Sequence, residues 1–250
     1  GFFEKNNIKI HLGDKAVSID KANKFVTSEK GVKISYDKLV LATGSYAFVP
    51  PVQGHDRENC FVYRTIEDLE ALTAAAKDAN VGAVVGGGLL GLEAAKALKD
   101  LNLKTNVIQF SPRLMSAQLD KGGADMLARK IEALDIAVLP SKNTQKIVDG
   151  TACKHKMLFA DGTDLETDII LFSAGIRPRD EIARKSGIEV GARGGVVIND
   201  QCMTSDPDIY AIGECAVWKG ETFGLVAPGY QMGRTVVADL EGQAASFTGA

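Results

Sequence analysis

The chain has 250 residues, of which 45% are hydrophobic and 24% are charged, a composition ordinary for a globular protein. A formal net charge of −3 and the lack of any Lys/Arg run argue against a nucleic-acid partner. Uncharged runs such as "AVVGGGLLGL" are too short to span a bilayer, and "GFFEKNN" lacks the features of a secretory signal. We therefore predict no membrane partner and a cytoplasmic location.

The four cysteines are widely spaced, and no two of them form a C-x-x-C pair. This pattern is typical of reduced thiols and does not indicate a zinc site or a dithiol redox centre. We accordingly predict no metal site. The cysteines are Cys60, Cys153, Cys202 and Cys215.

Short apolar segments alternate with turn residues at the start of the chain. Residues 8–41 are predicted to form successive strands in "IKIHLG", "AVSID" and "KFVTSEKGVKISYDKLVLATG", with "SEKG" as a hairpin turn. The stretch "VPPVQGHDREN" is marked by Pro and Gly and is predicted to be a linker. "TIEDLEALTAAAKDAN" then predicts a helix capped by Thr65.

The middle of the chain alternates strands and helices. "VGAVVGG", "KTNVIQF" and "IAVLP" are predicted strands, separated by a helix over residues 89–101 and a helix in "DKGGADMLARKIEALD". This order predicts a parallel, doubly wound α/β unit. In the second helix, the predicted core-facing stripe is Met126, Leu127, Ile131 and Leu134.

The last third of the chain returns to strands. "TQKIVDG", "CKHKMLFADGT" and "DLETDIILFSAG" predict a β-meander with Asp161-Gly162 as a tight turn, and "GGVVIND" and "DIYAIGECA" precede a helix that begins near Pro228. The layout predicts two regions. One covers residues 51–175, and the other combines residues 1–50 with 176–250.

The stretch "VVGGGLLGLE" matches G-x-G-x-x-G at Gly86, Gly88 and Gly91. Gly86 permits a tight turn, Gly88 leaves room for a pyrophosphate, and Gly91 lets the helix pack closely on the sheet. The helix start, residues 87–91 with Gly87, Leu89 and Leu90, offers backbone N–H groups to the phosphates. A glycine-rich turn without a ligand is the alternative interpretation.

An acid about 20 residues further on would bind the adenosine ribose of NAD. The sequence has Gln109 there, and Arg113 follows closely enough to contact a 2′-phosphate. The sequence therefore leaves the choice between NAD and NADP open. Glu93, early in the same helix, is either an acid stabilised by the helix dipole or a group that orients the nicotinamide carboxamide.

Three further stretches carry a family resemblance. They contain Ala42-Thr43-Gly44, Ala174-Gly175-Ile176-Arg177-Pro178, and the strand followed by Gly213 and Glu214. In this order, around an inserted dinucleotide unit, they resemble the flavin-dependent pyridine nucleotide–disulfide oxidoreductases over essentially the whole chain. The resemblance implies two Rossmann-like domains, with the NAD(P) domain inserted in the FAD domain.

The same resemblance implies roles for individual residues. Glu93 would position the nicotinamide together with the backbone at Gly175, and Glu214, where Asp is more usual, would bind the ribityl chain of FAD. Ala16 and the segment Ala42–Gly44 are predicted on the flavin side. Hydride transfer needs no acid–base group, so no catalytic residue is predicted.

Three segments are similar in sequence to one branch of this family, the large subunits of NAD(P)H-dependent nitrite reductases. They are "ATGSYAFVPPVQG", "FVYRTIEDL" and "FGLVAPGYQMG". Electrons would pass from NAD(P)H to FAD and on to iron–sulfur and sirohaem regions that reduce nitrite to ammonia. Those regions and the family's first βαβ unit are absent from the sequence. The resemblance thus implies an N-terminally truncated fragment, inactive alone, with an incomplete FAD site; a homodimer is left open.

Two alternatives remain. One is a rubredoxin or ferredoxin reductase of the same superfamily, although Tyr46 stands where those relatives often carry Arg. The other is a non-catalytic NAD(P)-binding module. Since His11, His55 and His155 lie outside every motif, we interpret them as surface or turn residues.

Overall fold

A computed structural model describes residues 1–249, which divide into two compact units. We call residues 47–176 the inserted unit, and residues 1–46 together with the chain from residue 177 onward the flanking unit. The helices are α1 (Phe2–Lys5), α2 (Ile66–Ala76), α3 (Leu89–Asp100), α4 (Lys121–Glu132), α5 (Glu181–Lys185) and α6 (Val226–Leu240). The strands are β1 (Ala16–Asp20), β2 (Phe25–Ser28), β3 (Lys33–Ser35), β4 (Leu39–Leu41), β5 (Ser45–Ala47), β6 (Cys60–Val62), β7 (Val81–Val85), β8 (Lys104–Ile108), β9 (Ile136–Leu139), β10 (Thr144–Asp149), β11 (His155–Phe159), β12 (Asp164–Thr167), β13 (Ile169–Phe172), β14 (Ile176–Pro178), β15 (Val196–Ile198), β16 (Ile209–Ala211), β17 (Ala216–Trp218) and β18 (Glu221–Thr222).

The inserted unit is built on a five-stranded sheet in the order β6-β13-β7-β8-β9, all parallel. Alternate side chains of β13 pack into two different cores. Ile169 and Leu171 pack with the helices on one face, while Ile170 and Phe172 pack with the antiparallel sheet β10-β11-β12 on the other. The α/β class with a parallel sheet is confirmed. The predicted doubly wound arrangement is wrong, because α2, α3 and α4 all contribute to the core on one face and the antiparallel sheet covers the other.

Helix α2 begins where its sequence predicts. The hydroxyl of Thr65 accepts a hydrogen bond from the N–H of Asp68, and the Asp68 carboxylate accepts one from the N–H of Thr65. This reciprocal capping satisfies two backbone donors at the helix start.

The flanking unit contains smaller sheets around one core. The sheets are β1-β2-β3, β15-β17-β18 and the parallel pair β16-β4, and β5 pairs with β14. Helix α6 contributes Met232 and Val236 to the core, where they join Tyr210 and Phe247. The residues that build this core come from both ends of the chain.

Several sequence-based expectations about individual elements are wrong in detail. "IKIHLG" forms no strand, because Ile8, Ile10 and Leu12 are all exposed and alternation alone cannot hold a strand without a partner. The meander ends at β12, and the next segment, β13, is a central strand of the parallel sheet.

The stripe predicted on α4 is shifted. Met126 is 59% exposed, and Leu134 lies beyond the helix and is 45% exposed. The core-facing set is Ala124, Leu127, Ala128 and Ile131, which follows the i, i+3, i+4, i+7 spacing of one helix face.

His155 is neither a surface nor a turn residue, since it lies on β11 and is only 1% exposed. Its Nε2 lies 2.7 Å from the carbonyl oxygen of Glu58, and the Nε of Arg57 donates to its Nδ1 over 3.4 Å. Burial lowers the pKa of His155 below its usual 6.5.

No helix within residues 1–249 combines the length and the apolar character needed to cross a membrane.

Candidate functional site

In the inserted unit, three neighbouring parallel strands end at the same edge of the sheet. β7 is followed by Gly86–Gly88, β8 by Gln109, and β13 by Ser173–Gly175. Because β7 lies between β13 and β8, these three segments lie side by side. In open α/β sheets this carboxyl edge is where ligands bind.

Two glycines of the turn are required by the backbone itself. Gly86 has φ +124°, and a Cβ at this position would lie 2.2 Å from the carbonyl oxygen of Ser173. A Cβ on Gly91 would lie 1.9 Å from the carbonyl oxygen of Gly86. Neither position can carry a side chain, so the strand, the turn and α3 pack backbone against backbone.

Gly88 differs from these two glycines. A Cβ added there would meet no atom within 4 Å, so the space in front of Gly88 is open. Gly88 is also the N-cap of α3, and no side chain caps the helix there. Open space beside the N-terminus of a 12-residue helix fits a pyrophosphate, because the first-turn N–H groups and the helix dipole favour an anion.

Gln109 lies one residue past β8 and joins the glycine-rich turn to the next loop. Its Oε1 accepts from the N–H of Gly87 over 2.8 Å, and its Nε2 donates to the Ser111 hydroxyl over 2.5 Å and to the Arg113 carbonyl over 3.3 Å. The Ser111 hydroxyl also donates to that carbonyl, over 2.8 Å. This network holds the Gln109 side chain beside the turn.

Glu93 and Gly175 are the candidates for the nicotinamide. Glu93 is exposed on α3, two residues after the buried Gly91. Gly175 has φ +108°, which favours glycine, and its carbonyl accepts from the N–H of Phe48 over 2.9 Å. Both residues belong to the inserted unit.

In the flanking unit, β4 and β16 are parallel neighbours, so their carboxyl ends also lie at one edge. β4 is followed by Ala42–Gly44 and β16 by Gly213 and Glu214. Gly44 has φ +67° and Gly213 has φ +72°, and a Cβ on either would meet no atom within 4 Å. The structure brings these two predicted segments together, with open space in front of both glycines.

Hydrogen bonds fix the side chains around this second edge. The buried Ser45 hydroxyl donates to Oε2 of Glu214 over 2.9 Å. Thr43 donates to the carbonyl of Arg179 over 2.5 Å, and the Arg179 guanidinium lies 5.8 Å from the ring centre of Tyr46. A carboxylate oriented by a buried hydroxyl suits a cofactor that carries hydroxyl groups, such as the ribityl chain of FAD.

Ala16, which was predicted on the flavin side, does not belong to the strands that form the edge at β4 and β16. It is exposed at the start of β1, where it pairs with Ser28. The sheet β1-β2-β3 is separate from the pair β16-β4.

The sequence analysis missed four residues that support the candidates. Each stands inside or directly beside a recognised motif, which is the signal that could have identified it. They are Ser45 after Ala42–Gly44, Ser111 after Gln109, Ser173 before Gly175, and Arg179 after the "AGIRP" segment.

The chain thus has two sheet edges at which parallel strands end next to glycine-containing turns. Two such edges in one α/β chain are typical of a flavin- and pyridine-nucleotide-dependent oxidoreductase. The family described as pyridine nucleotide-disulphide oxidoreductase matches residues 3–239, so the chain belongs to this family. The resemblance stated from the sequence is thereby confirmed, and membership implies NAD(P)H and FAD as cofactors.

Within the family, the chain is similar to nitrite reductases. It is 54% identical over its whole length to the NADH nitrite reductase large subunit of Escherichia coli (strain K12) and 53% identical to the NAD(P)H nitrite reductase large subunit of Klebsiella oxytoca. The chain spans only 30% and 26% of these proteins. Among solved structures, a ferredoxin reductase from Rhodopseudomonas palustris matches 99% of the chain, which covers 62% of that protein, with a TM-score of 0.91 and 28% identity.

Proposed function

We propose that this chain is the electron-entry segment of a longer NAD(P)H-dependent flavoprotein reductase, a nitrite reductase that forms ammonia. Residues 51–175 would bind NAD(P)H, and residues 1–50 with 176–250 would contribute to the FAD site. The similarity to two nitrite reductase large subunits supports the choice of acceptor.

One observation carries the nucleotide half of this proposal. The open space at Gly88, beside a helix N-terminus without a side-chain cap, lies next to Gln109 and Gly175 on neighbouring parallel strands. A ligandless glycine-rich turn would have no need to keep the space at Gly88 open.

In the proposed reaction, FAD would supply the two-electron chemistry, with NAD(P)H as the hydride donor. The protein residues bind and orient. The N–H groups at Gly88–Leu90 would hold the pyrophosphate, while Glu93 and the backbone at Gly175 would hold the carboxamide of the nicotinamide. Glu214, whose carboxylate accepts from the Ser45 hydroxyl, would accept hydrogen bonds from the ribityl hydroxyls. No proton has to move for hydride transfer, so none of these groups acts as an acid or base.

Electrons would leave the flavin for iron–sulfur and sirohaem groups in other parts of the reductase. A homodimer and a cytoplasmic location belong to the same proposal.

The proposal is tested in two steps. First, titration of the chain with NADH and NADPH by calorimetry should give heats of binding that Gly88→Ala abolishes. Second, in the full-length reductase, anaerobic NAD(P)H should bleach the flavin bands, and Glu93→Gln should slow bleaching more than it weakens nucleotide binding. Glu70→Gln, at an exposed acid on α2, is the matched control and should change neither.

Three results would contradict the proposal. If neither nucleotide binds, the glycine-rich turn is structural only. If a nucleotide binds but the flavin stays oxidised, the chain belongs to a non-catalytic NAD(P)-binding module. If the reduced flavin passes electrons to a rubredoxin or ferredoxin and never to nitrite, the proposed acceptor is wrong.

A further inference from the structure

The position that follows β8 is occupied by an amide where an acid would be expected for NAD. The Gln109 carboxamide bridges two backbone partners. It accepts from the N–H of Gly87 over 2.8 Å and donates to the carbonyl of Arg113 over 3.3 Å. Its remaining contact is the Ser111 hydroxyl at 2.5 Å.

This bonding pattern uses both a donor and an acceptor on the same side chain. A carboxylate could accept from Gly87, but it has no hydrogen to offer to the Arg113 carbonyl and would repel that oxygen. The loop after β8 is therefore built around a neutral side chain. Replacing it by an acid would bring a negative charge to the adenosine end of the candidate site.

The loop that follows Gln109 carries one charged side chain before Asp120. Residues 109–119 contain no carboxylate and one cation, Arg113. The Nε of Arg113 is buried, and within residues 1–249 it has no hydrogen-bond partner. Residues 141–142 lie beside the Gln109 main chain, since the N–H of Lys142 donates to the Gln109 carbonyl. The Lys142 ammonium is itself paired with Asp161.

We propose that Gln109, Ser111 and Arg113 form a 2′-phosphate subsite, so that the chain binds NADP(H) at least as tightly as NAD(H). This inference rests on the proposed function, since it concerns the same nucleotide site. A 2′-phosphate carries a charge of about −1.5 to −2 at neutral pH. A carboxylate at position 109 would repel it, whereas a neutral amide and a nearby guanidinium favour it.

The test separates the 2′-phosphate from the rest of the cofactor. Calorimetry on the chain compares 2′,5′-ADP with 5′-ADP, which differ only in that phosphate and need neither flavin nor nicotinamide. The wild-type chain should bind 2′,5′-ADP at least as tightly as 5′-ADP. Arg113→Gln should weaken 2′,5′-ADP about tenfold, the usual value of a hydrogen bond to a charged group, and leave 5′-ADP unchanged.

Position 109 needs two variants because charge and loop geometry must be separated. Gln109→Glu should reverse the order and favour 5′-ADP by about tenfold or more, since like charges repel across a short distance. Gln109→Met is neutral and of similar size but loses the hydrogen bonds to Gly87 and Arg113. It should weaken both ligands to a similar extent and keep the wild-type order. Arg129→Gln, at an exposed arginine of α4, is the matched control and should change neither affinity. Thermal melts show whether each variant is folded.

The outcomes are distinct. If 5′-ADP binds and 2′,5′-ADP binds more weakly to the wild-type chain, the inference is wrong and the proposed function stands. If neither ligand binds, the proposed nucleotide site itself is wrong. If Gln109→Met loses selectivity as Gln109→Glu does, the loop geometry and not the charge determines the preference, which also overturns the inference.

Discussion

Both units place their candidate residues after parallel strands, but they support those strands differently. In the inserted unit, the strands belong to a five-stranded sheet with a core on each face. In the flanking unit, the corresponding strands are a pair, β4 and β16, above a single core. Candidate cofactor residues can thus follow the strands of a contiguous domain with two cores or strands that come from distant parts of a chain.

The difference has an energetic consequence. The inserted unit is formed by one stretch of 130 residues, so its sheet forms through connections within that stretch. The flanking unit must bring residues 39–41 to residues 209–211, which carries a larger loop-closure entropy. We therefore expect the flanking unit to unfold at a lower denaturant concentration than the inserted unit. Trp218 is the single tryptophan of the chain, so its fluorescence reports on the flanking unit alone.

The largest expected effect concerns Phe247, which is 1% exposed. Its ring meets Trp218 edge-on at 5.1 Å and Phe223 at 5.3 Å. Phe247→Ala should cost about 4 kcal/mol of unfolding free energy in the flanking unit, through lost burial and the cavity left behind. Urea unfolding followed by Trp218 fluorescence measures this, with far-UV circular dichroism for the rest of the chain. Phe2→Ala, at a 70% exposed ring, is the control. A parallel loss in both signals would mean that the two units unfold together.

The second prediction compares two glycines of the turn. Gly91→Ala places a Cβ against the Gly86 carbonyl and should destabilise the inserted unit by about 2 to 3 kcal/mol. Gly88→Ala meets open space and should cost no more than about 1 kcal/mol, the loss of a favourable N-cap residue. Circular dichroism in urea measures both. Equal destabilisation would contradict the view that Gly88 is kept for a ligand.

Much of the inserted unit could be predicted because its signals are local. The Thr65 cap and the glycine-rich turn depend on residues within a few positions of each other, and the structure has both. The family and the fold class followed from motifs of this kind, whereas the pairing of the strands that precede Gly44 and Gly213 required the structure. The roles of the site residues stay predictions.

What could not be predicted depends on distant partners. The sequence around His155 gives no sign that Arg57 and Glu58, almost 100 residues earlier, enclose its ring. The α4 stripe was right at Leu127 and Ile131 but wrong at Met126 and Leu134, which are apolar and exposed, whereas Ala124 is small and buried. Gln109 was recognised as a departure, but its bond to Gly87 required the structure.

The third prediction uses His155 to test the inserted unit by pH. Neutral imidazole suits both neighbours: Nε2–H donates to the Glu58 carbonyl, and Nδ1 accepts from Arg57. Protonation would add a second N–H facing the Arg57 guanidinium. The unfolded chain therefore binds this proton more readily, and stability should fall as pH drops below the usual pKa of 6.5 towards the lower folded pKa.

Charged groups around the ring act in both directions. Arg57 and Lys154 oppose protonation and Asp149, which pairs with Arg57, favours it, but burial is the largest influence. His155→Gln should cost about 1 to 2 kcal/mol at neutral pH and flatten the pH dependence. His55→Gln, at an exposed histidine, should do neither. The measurement is the urea midpoint by circular dichroism from about pH 7.5 to about pH 5.5. An unchanged slope in His155→Gln would assign the pH dependence to other groups.

The smallest expected effect returns to the flanking unit. The buried Ser45 hydroxyl orients Glu214, and Ser45→Ala removes that donor while leaving the half-buried carboxylate in place. We expect a loss of about 1 kcal/mol in the Trp218 transition, because a hydrogen bond to a partly solvated acid is replaced only in part by water. Ser45→Thr keeps a hydroxyl and should restore much of this loss, while Ser18→Ala, at an exposed serine of β1, should be neutral. If Ser45→Ala is equally neutral, the Ser45 hydrogen bond does not stabilise the flanking unit, and the other contacts of Glu214 hold its carboxylate.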